Sequence, residues 1–141
     1  MTDALLTTVP GTFRAGVNDV LLSAFALAVA DWRDGHAADD DRSPHVLVDL
    51  ESHGREEEAV GGVDVAETAG WFTSLYPVRL DVSGLDRAQA WDGGPAAGTL
   101  LKRVKEELRA VPDHGLGFGL LRYLNPATAG ELAALGAPRI G

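Results

Sequence analysis

Eight apolar residues between Val17 and Trp32 stand at helical spacing, and they constrain the chain more than any other feature. Val17, Val20, Leu21, Ala24, Phe25, Ala28, Val29 and Trp32 follow the i, i+3, i+4, i+7 pattern of a long amphipathic helix. Gly16 with Asn18 or Asp19 supplies its start, and Asp34-Gly35 its stop. Two segments read as strands. His45 to Leu50 is short and rich in β-branched residues, and it follows a polar loop over 38–44. From Ala69 to Asp81, Phe72, Tyr76, Val78 and Leu80 alternate with Trp71, Thr73 and Leu75. Apolar residues on both sides predict a strand covered on both faces, and Pro77 must sit at a bulge, a bend or an unpaired edge.

Four further helices complete the pattern. Asp3 to Phe13 reads as a short helix interrupted by Pro10. Residues 92–98 read as a loop, after which Leu100, Leu101, Val104, Leu108 and Val111 mark an amphipathic helix ended by Pro112. The stretch from Gly115 to Tyr123 or Leu124 opens another helix, and Thr128 to Leu135 a last one. Helices alternating with two separated strands predict an α/β two-layer sandwich, with helices packed on a small sheet. Two strands are few for a chain that is 45% hydrophobic. With 141 residues, enough for one domain, the chain reads as a single partial domain cut from something larger.

Composition excludes several classes of function. A formal net charge of -9 argues against a nucleic-acid partner, which needs clustered Lys and Arg. The best candidate membrane segment, Val17 to Ala30, is too short and is broken by Asn18, Asp19 and Ser23, so no membrane partner is expected. The absence of cysteine removes disulfides, thiolate metal sites and cysteine nucleophiles, and fits a cytoplasmic location. His36, His45, His53 and His114 lack metal-ligand spacing. Gly115-Leu116-Gly117-Phe118-Gly119 looks like a phosphate loop but lacks the Lys-Ser or Lys-Thr ending and a preceding strand. Close packing of backbone against a neighbour is the better reading.

Chemistry concentrates at one place. Asp49-Leu50-Glu51-Ser52-His53-Gly54-Arg55-Glu56 sets an acid, an imidazole and a guanidinium directly behind an apolar strand. If the chain stays extended, Glu51, His53 and Arg55 fall on one face by the period of two. Gly54 lets a ligand or another chain approach the backbone. Taken alone, the run also reads as a solvated strand exit leading into Glu56-Glu57-Glu58, since charge runs are usually solvated.

Four segments together carry a resemblance. Val17-Asn18-Asp19-Val20-Leu21-Leu22 resembles the helix start shared by condensation and epimerization domains. Residues 49–56 resemble the epimerization pattern D-x-E-G-H-G-R-E. Gly70-Trp71-Phe72-Thr73-Ser74-Leu75-Tyr76-Pro77-Val78 resembles V-G-W-F-T-x-x-Y/F-P-V, where condensation domains carry G-x-F-x-N-T. Pro112 to Leu124 resembles P-x-x-G-x-G-Y-G-x-L-R-Y-L. Nearly the whole chain is thus similar, in order, to the C-terminal lobe of an epimerization domain of nonribosomal peptide synthetases, within the condensation superfamily. Ser52, Ala69 and Phe118 depart mildly from the family's Gly, Val and Tyr.

The resemblance implies one lobe of a chloramphenicol acetyltransferase-like fold. It implies a domain lacking its N-terminal H-H-x-x-x-D-G lobe and the segment after residue 141. The implied reaction inverts Cα of an aminoacyl or peptidyl thioester, L to D, on the 4'-phosphopantetheine arm of a peptidyl carrier protein, with no cofactor or metal bound directly. Glu51 matches the catalytic glutamate and Arg55 the arginine that orients it or offsets charge. His53, Gly54, Trp71, Phe72 and Thr73 take supporting or channel-lining places. The isolated chain is expected to be inactive, and its uncovered lobe face to favour self-association. A non-catalytic carrier-docking or structural module, and a lobe of a condensation or acyltransferase domain, are the alternatives.

Overall fold

The computed structural model describes residues 2–36, 43–53, 61, 64 and 67–135, except the side chain of His53. These residues form two compact units. The first comprises 2–36, 43–47 and 79–110, and the second 48–53, 61, 64, 67–78 and 111–135.

A π-helical turn at Ala4–Thr8 opens the first unit and runs into helix α1, Val9–Phe13. Pro10 does not interrupt it: the helical run continues through the proline, whose missing N–H falls directly after the π-turn, where the Val9 N–H reaches back five residues to Ala4 O. The chain then reverses through Arg14, whose φ of 48° is left-handed. Helix α2, Val17–His36, follows. At its start the Gly16 N–H donates to Asp19 Oδ2 at 2.7 Å, a side-chain bond that satisfies one of the orphan groups of the first turn.

The face of α2 that is buried is not the one its spacing predicts. Ser23, Ala26, Leu27, Val29 and Ala30 are buried, whereas Leu21, Phe25 and Trp32 remain 49%, 37% and 42% exposed. At 100° per residue Ser23, Ala26, Leu27 and Ala30 lie opposite Leu21, Phe25 and Trp32, and Val29, a member of the predicted face, is buried at its edge. Helix α2 is apolar nearly all round, and the side holding the larger side chains lacks a cover among the described residues.

Strands β1, His45–His53, and β2, Thr73–Asp81, form a two-stranded sheet. The Val82 N–H donates to Pro44 O at 3.0 Å, so the start of β1 meets the end of β2 and the strands run antiparallel. Extended residue by residue, this register pairs Val46 with Leu80 and Val48 with Val78, the buried residues of the sheet. It also places Pro77 at a non-hydrogen-bonded position with its nitrogen on the outer edge, where a missing donor costs no ladder bond. Both strands differ from the expected bounds at one end: β1 reaches His53 rather than Leu50, whereas β2 begins at Thr73 rather than Ala69. Coverage on both faces does not hold for β2. Leu75 is exposed while Val78 and Leu80 are buried, a one-sided pattern.

Two helices follow within the first unit: α3, Arg87–Trp91, and α4, Pro95–Arg109. The second half of the expected 92–98 loop is therefore helix, because Pro95 is pre-set for a first helical position. Gln89 Oε1 accepts from the Ala96 N–H at 2.9 Å, and Asp86 Oδ1 from the Gln89 N–H at 3.0 Å, so the two helix starts are capped in series. Leu100, Leu101 and Val104 of α4 are buried with Val46, Leu80 and Val82 and the buried face of α2. Each fully buried leucine contributes roughly 1.5–3 kcal/mol. Arg87 ties α3 to α2, donating to Ala30 O at 3.2 Å and pairing closely with Asp34.

In the second unit a short 3-10 turn, Pro112–Gly115, leads into α5, Leu116–Tyr123, and then α6, Pro126–Ala134. Asn125 caps α6 by accepting from the Ala127 N–H at 3.0 Å. Arg122 of α5 donates to Leu132 O at 3.0 Å and lies over the Phe118 ring, which braces the two helices. Among the described residues no single helix is long and apolar enough to cross a membrane. Residues 4–13 and 17–36 pass that test only as a pair bent by 96°.

Candidate functional site

Alternation along β1 places Val46, Val48 and Leu50 on one face and Leu47, Asp49 and Glu51 on the other. The first face is the buried one, so Glu51 is delivered to solvent, and it is exposed. Extending the register sets Glu51 across from Leu75, which is 57% exposed, and sets His53 at the end of β1 opposite Thr73 at the start of β2. The hairpin end therefore gathers Glu51, His53, Thr73 and Leu75. Gly54 and Arg55 lie outside the described residues, so the structure does not describe the third member of the expected charged row.

Trp71 and Phe72 stand just before β2 and behave differently. Trp71 is 88% exposed, an extreme value for an indole that buries large area when it finds a partner. Phe72 is half-buried, its ring lying against its own chain: a Cβ on Gly70 would come within 3.0 Å of Phe72 Cε2. Thr73 is also half-buried.

The 112–119 motif resolves into one demanding glycine and two permissive ones. Asp113, His114 and Gly115 all have positive φ, of 47°, 48° and 82°. A Cβ on Gly115 would lie 1.9 Å from Tyr76 Cδ1, so the tyrosine ring of β2 occupies the place of a side chain. Gly117 and Gly119 would place a Cβ in open space among the described residues. Close backbone approach, rather than phosphate binding, accounts for Gly115.

A second polar cluster, which no local motif signals, lies in the first unit. Asp81 accepts from the Ser83 N–H at 2.8 Å, sits 3.6 Å from Arg103 Nη1, and lies 3.3 Å from His45 Nδ1 without hydrogen-bond alignment. Hydrogen bonding from the Ser83 side chain, together with the Ser83 N–H and the Arg103 and His45 charges and opposed by burial, holds the Asp81 carboxyl below its ordinary value. Glu107 accepts from the Asp81 N–H with both carboxylate oxygens at 3.2 Å. Burial pushes the Glu107 carboxyl up, only partly offset by that hydrogen bond. Arg103 also donates to Asp81 O at 3.2 Å and Ser83 O at 2.9 Å. This cluster fastens α4 to the end of β2. Among the described residues there is no group of three or more metal-ligating side chains.

Known proteins share this architecture. The condensation-domain family model matches residues 2–133. A component of the linear gramicidin synthase of Brevibacillus parabrevis is 45% identical over 141 residues, an alignment covering 99% of this chain and 2% of that protein. Surfactin synthase subunit 2 of Bacillus subtilis (strain 168) is 39% identical over 122 residues, covering 86% of this chain and 3% of the relative. The chain thus spans a few hundredths of the length of these relatives. Among solved structures, the epimerization domain from the third module of tyrocidine synthetase B superposes with a TM-score of 0.72 at 34% identity, over 97% of this chain and 27% of that domain. Both the sequence match and the mixed α/β superposition lead to one assignment: the chain belongs to the condensation-domain family of nonribosomal peptide synthetases.

Proposed function

We propose that this chain is the glutamate-bearing lobe of an epimerization domain, acting with a facing lobe to invert Cα of a carrier-bound aminoacyl or peptidyl thioester. The observation that carries the reading is the likeness to the tyrocidine synthetase epimerization domain, combined with Glu51 standing exposed at the hairpin end. The Glu51 carboxylate takes the Cα proton, the C–H electron pair moves toward the thioester carbonyl, and the enolate oxygen requires donors as charge develops. Returning a proton to the opposite face gives the D configuration. An acid on the facing lobe supplies that second proton.

Arg55 orients Glu51 or offsets its charge, and His53 and Gly54 take supporting places beside it. Trp71, Phe72 and Thr73 form part of the wall for the pantetheine arm. The exposure of Trp71 supports this, since a facing lobe and a substrate would cover it. The substrate arrives on a peptidyl carrier protein, and the isolated lobe is inactive for want of its facing acid. The open side of α2 gives the isolated lobe a surface for self-association.

A second reading, peptide-bond formation, is favoured by the condensation-domain family match itself. Trp71-Phe72-Thr73 weighs against it. The two are separated by loading the carrier of the intact synthetase with an L-aminoacyl group in D2O. Epimerization releases D-residues carrying Cα deuterium; condensation alone gives an amide with Cα unlabelled and L.

A further inference from the structure

Within the first unit, α1, α2, α3 and α4 enclose an open groove of about 790 Å³, in the size range of small-molecule sites. Its walls carry Phe13, Val20, Leu27, Trp91, Leu100 and Leu101, and none of these takes part in the proposed epimerization. Two hydroxyls face it, and both are already engaged. Ser23 Oγ donates to Asp19 O at 2.6 Å and Thr99 Oγ1 to Pro95 O at 3.1 Å. The first turn of α4 offers no free donors either, since the Ala96 N–H goes to Gln89 Oε1 and the Ala97 N–H to Gly94 O. A polar ligand would find nothing to replace the water it loses.

The Phe13 ring rests over Gly98, midway along the α4 wall. That wall runs from Gly94 to Lys102, a rise of about 12 Å, and the α2 wall from Val20 to Leu27. Lys102, the one charged side chain in the lining, closes the α4 end. Its neighbour Lys105 is occupied by Phe13 O and Glu106, each at 3.3 Å, and Asp31 at the Trp91 side is bonded to the indole N–H. Lys102 carries no ion pair among the described residues. An apolar trough ending in a single available ammonium is complementary to a flexible alkyl chain with an anionic head.

We infer that this groove binds an anionic amphiphile of the fatty-acyl class, with its chain along α4 and its head at Lys102. The test uses dodecanoate below its micellar concentration, read by Trp91 emission against a Trp91→Phe control. Saturable binding with a blue shift is expected. Lys102→Gln should weaken it about fivefold, the worth of an exposed charge pair. Ala97→Phe or Ala24→Phe, which fill the groove from opposite walls, should abolish it, with circular dichroism verifying that at least one is folded. Equal binding of dodecyltrimethylammonium would overturn the anionic class, unchanged affinity in Lys102→Gln the head-group site, and binding retained in a folded filled variant the groove itself.

Discussion

Replacing Gly115 by alanine tests how the 112–119 turn is held. The residue has φ of 82°, a conformation that costs a residue with a Cβ about 1–2 kcal/mol. The new carbon would also stand 1.9 Å from Tyr76 Cδ1 and 2.2 Å from Cγ, well inside van der Waals contact with the inner atoms of the ring. The ring cannot clear that overlap by moving its tip, so an overpacking cost of about 1–3 kcal/mol is added. Gly115→Ala should therefore destabilise by about 2–5 kcal/mol. Gly117 and Gly119 lie inside α5 with open space beside them, so alanine there should stabilise, by up to about 1 kcal/mol each. Urea denaturation of the three variants measures the contrast directly. Adding Tyr76→Ala to Gly115→Ala separates the two causes, since it relieves the overlap but leaves the backbone cost. A Gly115→Ala change within about 0.5 kcal/mol of the parent, on the scale of an ordinary surface substitution, would refute the argument.

Glu107, raised by burial, binds its proton more tightly in the folded state than unfolded, so its contribution to stability is present below the unfolded value of 4.5 and lost as pH rises through the folded value. Stability curves of Glu107→Gln and the parent should accordingly shift in favour of the variant as pH rises above 4.5 and through the raised folded value; a constant difference would contradict this. Asp81 runs the other way: its lowered value gives stability present above 3.8 and lost as pH falls through the folded value, so Asp81→Asn should lose its destabilising effect in acid. Arg103→Met removes two bonds to carbonyls and the Asp81 contact, and should cost about 2 kcal/mol in thermal or chemical unfolding. The open face of α2 should drive self-association that Phe25→Glu reduces, as seen by light scattering; a clean monomer at high concentration in the parent chain would count against it.

Local patterns reveal elements well and faces poorly. The spacing of residues 17–32 marks α2, yet Ala26, Leu27 and Ala30 are small or apolar too, and which side is buried depends on α4, some seventy residues away. Helix α3 is a five-residue turn too short for a period to register. The start of α4 is hidden in Gly93-Gly94-Pro95, where loop composition and helix-start chemistry coincide. The requirement for Gly115 comes from Tyr76, nearly forty residues earlier. Glu51 is legible because its motif is contiguous, and the strand's alternation then delivers it to the open face. The Asp81 cluster and the α1–α4 groove arise only from packing.

The proposal rests most directly on Glu51. The decisive measurement is Cα hydrogen–deuterium exchange on a carrier-bound aminoacyl thioester in D2O, catalysed by the intact synthetase, with the Glu51→Gln variant compared from both L- and D-loaded carriers. Loss of a positioned base predicts exchange slowed by about 10²–10⁴-fold from at least one of the two configurations, with carrier loading unchanged. Exchange at the parent rate from both would contradict the assignment of Glu51 as the base.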